Sequence, residues 1–114
     1  MLSTDGHLLR IFIGEKDKHG RAPLYEWIVK QARTHGLAGA TVLRGMAGFG
    51  GRSRIHTAKI LRLAADLPII VEIVDSKEKI DAFLPVIDDA ITEGLATIEK
   101  VQVHWYRSGE GRPR

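Results

Sequence analysis

The stretch RGMAGFGGRSRIH, residues 44–56, gathers four glycines, three arginines and a histidine with no acid among them. Glycine allows positive φ and close backbone approach, so successive amides at Gly45, Gly48, Gly50 and Gly51 can form an anion-binding nest. Arg44, Arg52 and Arg54, with Lys59 beyond, add cationic charge, and arginine can grip phosphate bidentately. His56 can contact a phosphate or sense pH. The chemistry indicated is anion binding, with Arg44, Gly45, Gly48, Gly50, Arg52, Arg54 and His56 as the expected ligand residues. The stretch is neither a Walker loop nor a dinucleotide fingerprint, because no Gly-Lys-Ser/Thr occurs and no helix obviously follows the glycines. The opposing reading is a flexible connection with solvated arginines. Against it, the connection runs about twenty residues, longer than a hairpin needs.

Charge distribution points the same way. The net charge is +3, and no acid occurs between Glu26 and Asp66, where Lys30, Arg33, Arg44, Arg52, Arg54, Lys59 and Arg62 stand. Such a field favours anionic partners unless acids from elsewhere in the fold balance it.

A second cluster, Glu15, Asp17 and His19, has metal-capable side chains. Its spacing matches no ligand pattern, and Lys16, Lys18 and Arg21 oppose a cation, so a charged turn is the preferred reading and no metal site is assigned. There is no cysteine, which excludes disulfides, thiolate zinc sites and a cysteine nucleophile. No HExxH or G-x-S-x-G occurs, and nothing in the sequence gives Ser53 a base, so no enzyme is expected. No apolar run is long enough to span a bilayer and the first residues lack a signal pattern, so membrane insertion is not expected and the cytoplasm is.

The elements that position these residues follow from periodicity. Residues 7–14 read as a strand. A helix starts at Pro23, with Leu24, Trp27, Ile28 and Ala32 at helical spacing, and stops at Gly36. Residues 38–45 and 67–74 read as strands two and three. Asp75 or Ser76 caps a second helix with Glu78 in its first turn and a stripe of Ile80, Phe83, Leu84, Ile87 and Ile91. Pro85 should kink or split it, and Gly94 should close it. Residues 95–106 read as the last strand, with a bulge between Ile98 and Val101. The order βαββαβ predicts an α+β, ferredoxin-like sandwich: an antiparallel sheet with two helices on one face. One domain is expected over residues 1–106, with a basic tail over 107–114.

Two strands are apolar on both sides: Leu9, Ile11 and Ile13 against Leu8 and Phe12, and Ile69, Val71 and Ile73 against Ile70 and Val74. Two helices cover only one face, so a homo-oligomer with the open sheet faces packed inward is expected. The alternative is a monomer covered by its C-terminal segment. RIFIGE looks like the first strand of an RNA-recognition domain, but strand three, LPIIVEIV, has no aromatic to stack on bases, so nucleic acid is not an expected partner.

The run IFIGEKDKHGRAPLYEWIVKQARTHGLAGATVLRGMAGFG, followed by DLPIIVEIVDSKEKIDAFLPVID, resembles the PII-like proteins catalogued as domain of unknown function 190, over about residues 8 to 103. The resemblance implies a ferredoxin-like trimer related to the PII signalling proteins. It further implies a small effector such as an adenine nucleotide in clefts between subunits. The long loop between strands two and three, about residues 46 to 66, would then engage a membrane transporter or an enzyme, with Arg44 to Gly50 lining the cleft. The chain departs from classical PII proteins in two places. AITEGLATIEK stands where they carry a glycine- and lysine-containing phosphate loop, and the long loop has no tyrosine to be nucleotidylated. A bound nucleotide would then set its phosphates on the arginines of the glycine loop. Arg107, Arg112 and Arg114 would assist from a neighbouring subunit or form a frayed tail. A metal-binding trimer resembling the CutA-type proteins, resting on Glu15, Asp17, His19 and His56, and a ligand-free structural adaptor are the alternatives.

Overall fold

The computed structural model describes residues 5–48, 56–57 (backbone only) and 66–109. Strand β1 (Asp5–Gly14) is followed by a short hairpin, β2 (Lys18–His19) and β3 (Ala22–Pro23), and by helix α1 (Leu24–Thr34). Then come β4 (Thr41–Arg44), the short β5 (Ala47–Gly48) and β6 (His56–Thr57), β7 (Pro68–Asp75), helix α2 (Lys77–Asp88) and β8 (Leu95–Gln102). The main sheet has four strands in the order β4-β7-β1-β8, all antiparallel. This is the expected ferredoxin-like arrangement, in which the two strands that are apolar on both sides occupy the centre.

The core lies on one face of the sheet. Leu9, Ile11 and Ile13 of β1 and Ile69, Val71 and Ile73 of β7 are buried against Leu24, Ile28 and Ala32 of α1 and Ile80, Phe83 and Ile87 of α2. Their alternation with half-buried neighbours is the period-2 signature of a strand covered on one side.

Local chemistry fixes the helix ends. Pro23 stands just before α1, and the Leu24 amide donates to the Asp17 carbonyl at 2.7 Å. At the other end Gly36 adopts φ 74°. The Gly36 amide reaches the Arg33 carbonyl and the Leu37 amide the Ala32 carbonyl, a Schellman closure that needs a left-handed residue. Ser76 caps α2 by accepting from the Lys79 amide. Asp75, buried behind it, accepts from the amides of Ala38 and Ser76 at 2.8 and 2.7 Å and so ties the end of β7 to the approach to β4.

Three expectations need correction. Of the kink or split expected at Pro85, the split does not occur, since the second helix runs on to Asp88 within one further turn. Gly94 does not close that helix, whose C-cap is Asp89. It is glycine because a Cβ there would lie 2.7 Å from the Phe12 carbonyl. The last strand carries no bulge: β8 pairs with β1 residue for residue from Phe12–Leu95 to Asp5–Gln102, and it ends at Gln102 rather than 106. Beyond it the chain crosses the end of the sheet, and the Tyr106 hydroxyl donates to the Ala38 carbonyl at 2.8 Å.

Candidate functional site

Strand direction puts the ends of β1 and β4 and the start of β7 at one end of the sheet, since Gly14 pairs with Pro68 and Arg44 with Ile69. The glycine–arginine stretch leaves the sheet there. Gly45 donates its amide to the Pro68 carbonyl at 2.7 Å, and Gly48, at φ 157°, lies against the Pro68 ring. The connection then pairs with itself, Ala47 with Thr57 and Gly48 with His56. The sequence reading missed this ladder, because two-residue strands leave no periodicity. It brings the backbone of His56 back beside the base of the loop. Gly50, Arg52 and Arg54 lie outside the described residues, as does the His56 side chain.

Arg44 is not an isolated cation. Its Nε lies 3.4 Å from Glu15 Oε2, with the arginine side chain 59% exposed and the glutamate 26%. Glu15 is held by its own amide, which donates to the Leu67 carbonyl at 2.8 Å, and its Oε1 is buried without a hydrogen-bond partner. Asp66 closes the loop and accepts from the Lys16 amide at 3.1 Å. Part of the acid-free field is therefore balanced in space, by Glu15 from the chain before the gap. The surface can still hold an anion, but an anion at Arg44 competes with Glu15.

The residues of the metal alternative are engaged separately. Asp17 accepts from the Gly14 amide at 3.0 Å, and the His19 ring stacks on Trp27 with centroids 4.0 Å apart. Among the described residues no group of three or more His, Asp or Glu side chains is gathered as a metal site. Arg107 lies over the Trp105 ring at 4.4 Å, in the segment that crosses the opposite end of the sheet from Arg44.

The fold is that of the PII-like proteins. The chain superposes on the Thiomonas intermedia K12 nitrogen-regulatory PII-like protein CPII, in a structure bound to ADP and bicarbonate, with a TM-score of 0.65 and 17% identity, covering 87% of this chain and 88% of that one. A PII-like signalling protein structure from Thermus thermophilus gives a TM-score of 0.62 at 19% identity, covering 88% and 90%. The chain belongs to the DUF190 family, described as Uncharacterized ACR, whose model matches residues 6–103. It is 42% identical over 96 residues to a UPF0166 protein of Aquifex aeolicus, across 84% of this chain and 90% of that one. No helix among the described residues is long and apolar enough to cross a membrane.

Proposed function

We propose that this protein is a non-catalytic, PII-like regulatory subunit, assembled as a homotrimer. In this reading it binds a small anionic effector, an adenine nucleotide, in a cleft between subunits and signals through the loop between β4 and β7 to a transporter or an enzyme. One observation carries the reading. The loop that opens at Arg44 with three arginines and no acid stands on a fold shared with a PII-like protein whose structure holds ADP. The effector's phosphates would draw on Arg44, Arg52, Arg54 and His56 and on the amides of Gly45, Gly48 and Gly50. Ordering the loop by ligand charge would then bias its fit to the partner. Isothermal calorimetry with AMP, ADP, ATP and a cyclic nucleotide tests this. The wild type should bind at least one of them, and an Arg52→Ala/Arg54→Ala variant should bind it about tenfold more weakly or worse. No heat with any nucleotide, or equal binding by the variant, removes the site; the former leaves the ligand-free adaptor.

A further inference from the structure

Helix α2 leaves part of its own face of the sheet uncovered. Strand β8 stands at the sheet's edge, with β1 as its one strand neighbour among the described residues. Ala96 and Ile98 of β8 pair with Ile11 and Leu9 of β1, so they point to the helix-bearing face. Ile11 and Leu9 are fully buried there, yet Ala96 is exposed and Ile98 is 44% exposed. Between α2 and β8 runs a groove with a cavity of about 560 Å³, whose lining includes Ile11, Leu84, Ile87, Ile91 and Ala96. Asp81 and Asp88 stand on its α2 side. Asp81 shares its charge with Lys77 at 2.5 Å. Asp88 and the C-cap Asp89 lie at the negative end of the helix macrodipole, and the last turn of α2 holds no basic residue. Acids oppose the dipole at a helix C-terminus, so this corner carries negative charge that the helix itself does not balance.

We propose that this groove docks an extended peptide of a partner protein, which adds to the sheet beside β8 and turns basic and aliphatic side chains toward α2. Three features select that occupant. The free edge of β8 can hydrogen-bond to an extended chain and not to a helix, whose backbone groups are already paired. The lining of Leu84, Ile87 and Ile91 suits an aliphatic side chain. Asp81 and Asp88 suit Lys or Arg, and charge complementarity of this kind rejects an acidic partner. Spacing then defines a motif. Asp81 and Asp88 stand two helical turns apart on α2, about 10 Å along its axis. Residues i and i+4 of an extended chain point to one face about 13 Å apart, a difference that long basic side chains take up. The fitting sequence is basic-x-aliphatic-x-basic, with its aliphatic residue over Leu84, midway between the two acids. The groove lies on the opposite face of the sheet from the one expected to meet other copies. Docking there is separate from the loop that opens at Arg44 and does not depend on a bound effector.

The full-length chain is titrated into a fluorescein-labelled heptapeptide, TKTVTKT, and followed by fluorescence anisotropy. It should bind with a Kd below about 1 mM, and the glutamate analogue TETVTET should bind about tenfold more weakly or worse. The variant Asp81→Lys/Asp88→Lys should reverse that preference, which a merely structural role for the two acids would not do. In hydrogen exchange, amides of residues 95–102 should gain protection when TKTVTKT is added. No binding up to about 1 mM, equal binding of the two peptides, or a charge-reversed variant that is folded by circular dichroism and keeps the wild-type preference overturns the inference. Should that variant fail to fold, exchange of the wild type decides, and unchanged protection of residues 95–102 overturns the inference. Two further outcomes name another occupant and overturn it as well. Protection of residues 95–102 in the peptide-free chain that is lost on dilution puts a second copy on the edge. A variant lacking residues 51–64 that binds TKTVTKT about tenfold more tightly than wild type puts the chain's own loop in the groove.

Discussion

Gly45 and Pro68 touch through both backbone and ring. The Gly45 amide donates to the Pro68 carbonyl at 2.7 Å, and a Cβ on Gly45 would lie 2.7 Å from Pro68 Cγ. The proline ring sits on a strand and cannot swing away, so Gly45→Ala must push the loop base off the sheet. A loss of about 1–3 kcal/mol is expected, read as a fall in Tm of about 5 °C or more by calorimetric scan.

Gly94→Ala should cost at least as much as Gly45→Ala, because the new methyl would meet the Phe12 carbonyl at 2.7 Å as well as Ile13 and Ile91. Gly39→Ala is the matched control. No atom lies within 4 Å of its Cβ position, and a change within about 0.5 kcal/mol is expected. Urea denaturation of the three variants ranks them.

Asp75→Ala leaves the amides of Ala38 and Ser76 without their acceptor at a buried position. A destabilisation of about 2–3 kcal/mol is expected, since an unsatisfied buried donor carries its full desolvation cost. Asp75→Asn keeps one acceptor oxygen and should lose roughly half as much. Equilibrium unfolding measures both.

Glu15→Gln frees Arg44 from its 3.4 Å ion pair while keeping the side chain's size. If an anionic effector uses Arg44, its affinity should rise about 1.5-fold to fivefold by calorimetry, in the range of an exposed ion pair. Raising the salt concentration should narrow the gap between variant and wild type.

The central strands were legible in the sequence because each is a short run of Ile, Leu, Val and Phe bounded by turn residues, while which of their two apolar faces is buried shows only in the fold. β8 was misread for the converse reason. With almost no residue buried, nothing in it enforces alternation, and an irregular pattern of exposed residues looked like a bulge. Gly94 looked like a helix stop because the Phe12 carbonyl that demands it lies on a distant strand. The position of Arg44 at a strand end was legible. Its partner Glu15 was not, because the pairing is made by β1 and β4 ending together on either side of β7. The ion pairs of Arg10 with Glu72 and Glu99 were invisible for the same reason, as these acids come from strands that only the sheet order brings to either side of β1.

The pairing of Phe12 with Leu95 and Asp5 with Gln102 also bears on how the chain is made. β1 leaves the ribosome ahead of every other described strand, and both of its neighbours, β7 and β8, follow long after it. Until they arrive, a segment apolar on both sides has nothing to pair with. Non-local closure of this kind is slow, and the waiting strand is the part of the newborn chain most prone to aggregate and most in need of a chaperone.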